Sequence, residues 1–221
     1  RDVLRAENGD AVAVFDGAGL EARATVRIAS DGTLVLDVEQ TTQAAPRPFE
    51  LVLIQAVPKG SRMDLIVEKA TELGIARLIP VITDRVIVRL NAKQALKRGD
   101  RWSRVAKSAA KQCGTQWMPQ IDPVRSYTDV LKLLPAFDAV LLGSLVEGVQ
   151  PLHTVLQSVR TESPKSIAVI VGPEGDLTPA ETAATLDAGA LPVSFGGLTL
   201  RAETAALYAL SVLSYEFLWR G

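Results

Sequence analysis

The first part of the chain has short runs in which apolar and polar residues alternate, separated by turns that contain glycine. A period of two is typical of strands with one buried face, and short glycine-containing turns between them indicate antiparallel pairing. The runs predict strands at Ala11–Phe15, Glu21–Ile28 and Thr33–Val38. Residues 1–45 are therefore expected to form a small antiparallel barrel or sheet, followed by a linker that contains two prolines.

Beyond the linker, β-branched apolar runs alternate with runs of helical spacing. Strands are predicted at Glu50–Val57, Arg77–Ile82, Ala139–Leu142, Ser166–Val171 and Leu191–Phe195. Helices are predicted at Met63–Leu73, Asp100–Cys113, Leu152–Arg160, Pro179–Ala188 and Glu203–Leu218. Alternation of this kind favours a mostly parallel sheet that is covered on both faces. Residues 49–221 are therefore predicted to form one α/β domain.

Two of the predicted strands run into loops that carry glycine and then into helices. The first loop is Gly172–Gly175, with the sequence GPEG, and the second contains Gly196 and Gly197. Loops of this kind present backbone amides to a ligand at the carboxyl edge of a parallel sheet. After the first loop, Thr178 and Glu181 have the spacing of a helix capping box. The two loops together predict one pocket.

Arg201 and Glu203 lie between the second loop and the last helix. Two interpretations of these charges are open at this point. Either they belong to a site, or Glu203 only stabilises a helix N-terminus and pairs with Arg201. The last helix is itself apolar on most sides, more than one buried stripe requires. It is therefore either a dimer interface or a helix in the centre of the core.

Composition limits the possible functions. The chain has 221 residues, 48% of them hydrophobic, and a net charge of −1. His153 and Cys113 are the only residues of their types, so histidine-rich or cysteine-rich metal sites and internal disulfides are excluded, and no metal is expected. No apolar run reaches the ~18 residues of a membrane span. We expect a cytoplasmic protein without a membrane partner, and find neither a P-loop nor a dinucleotide-binding glycine motif.

One segment is strongly basic although the whole chain is nearly neutral. From Arg85 to Lys111 there are nine basic residues and a single acid, Asp100. At helical spacing, Arg101, Arg104 and Lys111 share a face that is distinct from the apolar stripe through Trp102. A helical face of one sign suits a phosphate backbone, whereas solvated faces usually mix signs. The segment predicts binding to nucleic acid.

Four short motifs occur in order along the chain: KGSRM at Lys59–Met63, KQCG at Lys111–Gly114, GPEG at Gly172–Gly175 and LTLRAET at Leu198–Thr204. Together they resemble the RsmE-type 16S ribosomal RNA uridine N3-methyltransferases of the SPOUT superfamily. The resemblance implies a trefoil-knotted SPOUT methyltransferase domain behind a small N-terminal PUA-like β-barrel. It also implies S-adenosylmethionine as the cofactor, 16S ribosomal RNA or the small ribosomal subunit as the substrate, and a homodimer.

The resemblance also assigns roles by position. Cofactor binding is expected at Leu142, Gly143, Ser144, Val171, Gly172, Pro173, Glu174, Gly175, Phe195, Gly196, Leu198, Leu200, Arg201 and Thr204. RNA binding is expected at Lys59, Arg62, Arg101, Arg104 and Lys111, the last three because of the basic helical face and not because of the resemblance. Arg201 and Glu203 are expected to be catalytic. Arg201 would stabilise negative charge on the uracil oxygens or hold a phosphate. Glu203, or water beside Arg201, would remove the N3 proton.

Several positions depart from the pattern of the family. Asp176, Lys111 and Thr115 stand where a glycine, a glutamate and an arginine are usual, and Gly197–Thr199 replaces a more basic turn. Because the cofactor loops are otherwise intact, these departures concern the contacts with RNA more than the binding of a methyl donor. Two alternatives therefore stay open: a non-catalytic RNA-binding protein, and a SPOUT enzyme that methylates a ribose 2′-hydroxyl.

Overall fold

The computed structural model describes residues 7–86, 90–146 and 148–218. The chain divides into two compact units. The first unit ends at Arg47 and also includes Gly114–Met118, and the second comprises Pro48–Cys113 and the chain from Pro119 onward. Gly114–Met118 lies far from the first unit in sequence, and the expected boundaries had placed it in the second domain. Contacts of these five residues, such as a hydrogen bond from the Gly19 amide to the Gln116 carbonyl (3.1 Å), are made with the first unit.

The first unit is a three-stranded antiparallel sheet in the order β1-β2-β3. Its strands are β1 (Ala11–Phe15), β2 (Leu20–Ile28) and β3 (Leu34–Gln43). The predicted small antiparallel unit is confirmed. Within the described residues β1 and β3 each pair only with β2. The closed PUA-like barrel that the resemblance implied stays a prediction.

The second unit contains a parallel sheet in the order β10-β8-β9-β4-β5-β6, with β7 also pairing with β5. Its strands are β4 (Glu50–Ala56), β5 (Arg77–Ile82), β6 (Gln120–Ile121), β7 (Arg125–Ser126), β8 (Ala139–Gly143), β9 (Ser166–Val171) and β10 (Leu191–Val193). The predicted α/β class is confirmed. The strands β4 and β9 have nearly continuous apolar runs because both of their faces are buried.

Six α-helices are found among the described residues, besides a 3₁₀ helix at Leu134–Ala136. They are α1 (Arg62–Glu72), α2 (Ala92–Cys113), α3 (Tyr127–Leu131), α4 (Leu152–Thr161), α5 (Pro179–Asp187) and α6 (Ala202–Phe217). Helix α1 buries Met63, Ile66, Val67 and Ala70, which have the spacing of one helical face. It ends before Gly74, whose φ of 82° is favourable only for glycine.

Some elements differ from the prediction. Helix α2 begins at Ala92 and not at Asp100, because Asn91 and Gln94 form a reciprocal cap: each side chain accepts from the other residue's amide, at 2.9 and 3.0 Å. The strands β6 and β7 were not predicted, since two residues carry no periodicity. No helix in the described part of the chain is long and apolar enough to span a membrane. The trefoil knot stays a prediction.

Candidate active site

A cavity of about 420 Å³ lies where β8, β9 and β10 end. These strands are parallel and lie near one another, so the loops that follow them meet at one edge of the sheet. The volume lies within the range of small-molecule sites, about 300–1,000 Å³. The predicted cofactor residues that line the cavity are Gly143, Ser144, Val171, Gly172, Pro173, Glu174, Phe195, Gly196, Leu198, Leu200 and Arg201.

Three predicted cofactor residues do not line the cavity: Leu142, Gly175 and Thr204. Leu142 belongs to the hydrophobic core of the sheet, because successive side chains of a strand point to opposite faces. Gly175 lies beside Arg85, and Thr204 is exposed on α6. Gly197, which belongs to the second predicted glycine loop, and Thr199 in the same loop also line the cavity. The lining further includes residues that were not predicted: Leu145, Val146, Asp176, Ser194, Ala202 and Ala205. All of them are near neighbours in sequence of predicted residues, which is the signal that could have included them.

One wall of the cavity depends on a glycine at the end of β8. A Cβ atom added to Gly143 would lie 2.6 Å from Cε2 of Phe195. The Phe195 ring in turn packs against Tyr208 of α6, with 5.9 Å between ring centroids. Glycine at this position therefore lets the aromatic ring cover the end of the strand. Gly196, which follows Phe195, has a φ of +124° that side-chain-bearing residues rarely adopt.

The loop after β9 is closed by Asp176. This residue has a φ of 59°, its amide donates to the Pro173 carbonyl (2.9 Å), and its Oδ1 accepts from the Leu177 amide (2.8 Å). Aspartate tolerates this backbone region because its short side chain bonds locally. Asp176 thus takes the conformation that a glycine would otherwise supply, and it adds a carboxylate to the cavity lining.

Arg85 holds the same loop from the outside. Its Nη1 donates to the carbonyls of Gly175 (2.9 Å) and Leu177 (3.3 Å). The predicted capping box follows directly and is confirmed: Thr178 caps the Glu181 amide, and the Glu181 side chain accepts from the Thr178 amide. The other carboxylate oxygen of Glu181 accepts from the Asp84 amide (2.9 Å). The chain after β5 and the loop after β9 are therefore tied together.

Arg62, at the start of α1, contacts two carboxylates. Its Nη1 donates to Oε1 of Glu174 (2.6 Å), and its Nε lies 3.6 Å from Oε1 of Glu203. The Lys59 amide also donates to Oε1 of Glu174 (3.3 Å). This arrangement differs from the expectation that Arg62 contacts RNA, because its guanidinium is directed at the protein.

The two predicted catalytic residues occupy different positions. Arg201 is the N-cap residue of α6 and lines the cavity. Glu203 does not line it: only 14% of its side chain is exposed, and its Oε2 is buried without a hydrogen-bond partner. Residues two apart at a helix start do not face each other. Glu203 therefore pairs with Arg62, and not with Arg201 as one interpretation had it.

The basic residues of α2 lie on the exposed side of an amphipathic helix. Trp102, Ala106, Ala109 and Ala110 are buried, as the apolar stripe predicted. Arg101, Arg104 and Lys111 are all exposed, and Arg101 also forms an ion pair with Asp64 of α1. Of the nine basic residues counted in this segment, Arg89 lies outside the described residues.

Comparisons with known proteins agree with this site. Residues 45–214 match the family model of the RNA methyltransferase domain. Together with the fold and the cavity, this match defines an RNA methyltransferase domain. The ribosomal RNA small subunit methyltransferase E of Bacillus subtilis (strain 168) is 31% identical over 218 residues, which cover 97% of this chain and 85% of that protein. The chain belongs to the ribosomal RNA small subunit methyltransferase E family, and the predicted family is confirmed.

Two solved structures of similar proteins contain S-adenosylmethionine. The ribosomal RNA small subunit methyltransferase E from Neisseria gonorrhoeae has a TM-score of 0.85 at 30% identity, over 98% of this chain and 87% of that one. The putative methyltransferase Lpg2936 from Legionella pneumophila has a TM-score of 0.84 at 27% identity, over 97% and 86%. Both likenesses extend over nearly the whole of this chain.

Proposed function

We propose that this protein transfers a methyl group from S-adenosylmethionine to N3 of a uridine in the 16S ribosomal RNA of the small subunit. The cavity at the ends of β8, β9 and β10 carries the proposal, because glycine-bearing loops line it in a chain of the methyltransferase E family. The small-subunit methyltransferase from Neisseria gonorrhoeae is bound to the same cofactor, which supports the choice of methyl donor.

The residues around the cavity suit S-adenosylmethionine. Val171, Leu198 and Leu200 provide apolar walls for a planar base, and the loops at Gly172 and Gly196 provide backbone N–H and C=O groups. The Asp176 carboxylate is available for a hydroxyl or a positive charge. When bound, S-adenosylmethionine supplies an electrophilic methyl group on a sulfonium. The protein then contributes orientation and an enclosed site.

Arg201 is the residue proposed to act on the RNA, because it lines the cavity. The N3 position of uridine is a weak acid, and negative charge spreads onto the uracil oxygens when its proton leaves. A guanidinium at the cavity lining stabilises that charge. For removing the proton, water beside Arg201 is favoured over Glu203, because one oxygen of Glu203 is buried and the other faces Arg62.

The exposed side of α2 is the proposed RNA-binding surface. Arg104 and Lys111 extend from it, and the buried side of the same helix holds them on the domain. Their charge suits the phosphate backbone and not the recognition of individual bases. Arg101 belongs to the same exposed side and would exchange its ion pair with Asp64 for a phosphate.

A homodimer is also proposed. Several large apolar or aromatic side chains are exposed on α6 or around the mouth of the cavity: Leu145, Val146, Leu198, Tyr208 and Tyr215. Covering them with a second copy would remove apolar surface from water and would close the mouth of the cavity. The molecular mass in solution at micromolar concentration tests this: a dimer is expected, and a monomer would contradict it.

The activity is tested with methyl-labelled S-adenosylmethionine and small-subunit RNA that lacks the modification. Label is expected in the RNA, and nucleoside analysis by mass spectrometry is expected to identify N3-methyluridine. A ribose-methylated product would contradict the assignment to the base. RNA binding without any transfer would instead support a non-catalytic binding protein.

A further inference from the structure

Arg62 joins two walls of the cavity that are separated in sequence. Glu174 belongs to the loop after β9 and lines the cavity, while Glu203 lies in the first turn of α6, two residues after Arg201. The guanidinium of Arg62 uses Nη1 for Glu174, at 2.6 Å, and Nε for Glu203, at 3.6 Å. One cation from α1 thus connects the loop of β9 with the start of α6.

The contacts of Arg62 with the two carboxylates matter more for the positions of these side chains than for the stability of the whole protein. The side chains of Arg62 and Glu174 are 39% and 34% exposed, so water screens their attraction. Glu203 is less exposed, at 14%, and its second oxygen is buried without a partner. A planar guanidinium with several fixed donors can hold two carboxylates at a defined separation. Without it, two like charges would face each other beside the cavity.

We propose that Arg62 is a positioning residue for the cofactor site and not an RNA contact. It sets the distance between the Glu174 loop and the N-terminus of α6, and thereby the width of the cavity that Arg201 lines. The Lys59 amide assists by donating to the same oxygen of Glu174. This inference rests on the proposed S-adenosylmethionine site, because the cavity whose width is set is that site.

Calorimetric titration of S-adenosylmethionine without RNA tests the proposal. Arg62→Ala is expected to weaken cofactor binding by about tenfold, a size typical of coupled charge networks. Arg62→Lys is expected to fall between wild type and alanine, because lysine keeps the charge but cannot hold two carboxylates in a plane. Lys69→Ala is the matched control: Lys69 is on the same helix, and its ion pairs with Glu68 and Glu72 are local. It is expected to bind the cofactor as wild type does.

A second substitution separates positioning from a general loss of structure. Glu174→Gln in the Arg62→Ala background removes one of the two facing negative charges. It is expected to recover part of the lost affinity, whereas loss of structure would deepen with the second change. RNA affinity, measured by filter binding, is expected to stay within about twofold of wild type in Arg62→Ala, because the guanidinium is directed at the protein.

The outcomes are distinguishable. Wild-type cofactor affinity in Arg62→Ala, together with weaker RNA binding, would overturn the proposal and make Arg62 an RNA contact. An Arg62→Lys variant as weak as alanine, with no recovery by Glu174→Gln, would also overturn it. If Arg62→Ala does not fold, the same test is made by comparing Arg62→Lys with and without Glu174→Gln. Absence of cofactor binding by the wild-type protein would instead reject the proposed function itself.

Discussion

At the residue scale, single backbone conformations and single charges shape the cavity. Asp176 adopts a positive φ and closes its own turn, and Gly143 leaves the space that the Phe195 ring fills. Arg201 reaches the cavity as the N-cap of α6, while Glu203 turns to Arg62. The glycine loops could be predicted from sequence. The direction in which each charged side chain points could not, because it depends on a helix start and on a distant partner.

Gly143→Ala tests the close approach of Phe195. The new Cβ would lie 2.6 Å from the ring, so the ring must move away from the cavity wall. Overpacking of this kind costs about 1–3 kcal/mol of stability. Because the displaced ring forms a wall of the cavity, we expect cofactor affinity to fall as well. Calorimetry and thermal unfolding measure the two effects.

Gly99→Ala is the control for this substitution. Gly99 lies in α2, and a Cβ added there meets nothing within 4 Å. The control is expected to keep cofactor affinity and to gain about 0.5–1 kcal/mol of stability, as alanine does in helices. Unchanged cofactor binding in Gly143→Ala would remove the Phe195 wall from the site.

Arg201→Ala and Glu203→Gln separate the roles of the two charged residues. Loss of a group that stabilises developing charge costs about 10²–10³-fold in rate, and we expect Arg201→Ala to lose turnover on this scale with nearly intact cofactor affinity. The turnover of Glu203→Gln is expected to fall much less, because the Glu203 carboxylate pairs with Arg62 and does not line the cavity.

Single-turnover rates measure both variants. If Glu203→Gln lowers the rate by about 10²–10⁴-fold, and by more than Arg201→Ala does, Glu203 would be identified as the general base. Turnover of Arg201→Ala within a few-fold of wild type would remove Arg201 from catalysis.

At the scale of elements, α2 shows how one helix serves two purposes. Its buried side packs through Trp102 and neighbouring alanines, and its exposed side carries positive charge. The amphipathic pattern was predicted correctly from sequence. Its N-terminal start was not, because the cap formed by Asn91 and Gln94 was not recognised, although both residues are local and could have been found.

Arg104→Ala and Lys111→Ala test the basic side of α2. Each phosphate contact contributes roughly 0.7–0.9 to the slope of log affinity against log salt, so each substitution is expected to weaken RNA binding and to lower the slope by about that amount. Cofactor affinity should not change. Filter binding over a series of salt concentrations measures the slope.

Lys132→Ala, outside α2, provides the control. Lys132 is exposed and pairs with Asp129 in a local ion pair, and it is expected to leave the salt slope as it is. A double variant of Arg104 and Lys111 with wild-type affinity and slope would show that α2 is not the RNA-binding surface.

At the scale of the whole molecule, the second unit is held together by interactions between distant segments. Asp122 is buried between Arg77 and Arg125, at 2.7 and 3.0 Å. Burial alone would raise the pKa of Asp122, but the hydrogen bonds and charges of the two arginines outweigh it, and the pKa lies below its ordinary value. The ionised carboxylate is therefore the form that the folded protein favours.

Acid unfolding tests this buried ion pair. Because the folded pKa of Asp122 is depressed, its stabilisation is complete above the unfolded pKa of about 3.9 and is lost as pH falls through the folded value. Asp122→Asn is expected to cost about 2 kcal/mol at pH 7. The difference from wild type should shrink below about pH 4.

Denaturant unfolding from pH 7 to pH 2 measures the free energy of unfolding. Asp37→Asn is the control, because it removes a surface ion pair with Arg27 in which both side chains are more than half exposed. It is expected to cost less than about 1 kcal/mol. A constant difference between Asp122→Asn and wild type across this range would exclude the carboxylate as its source.

The sequence by itself determined the features that depend on neighbouring residues. Helix and strand periods, the capping box at Thr178 and the glycine loops follow from hydrogen bonds and side-chain directions within a few residues of one another. Those features, with the family motifs, were sufficient for the α/β class, the small antiparallel unit and most residues of the cavity.

Only the tertiary structure decided which distant residues meet. Arg62 reaches Glu174 and Glu203, Gly114–Met118 joins the first unit, and Phe195 covers Gly143. The first and the last of these contacts depend on the order of strands in the sheet, which places β9 beside β4 and β8 beside β10. Strand order is set by packing over the whole domain, and no local pattern along the chain specifies it.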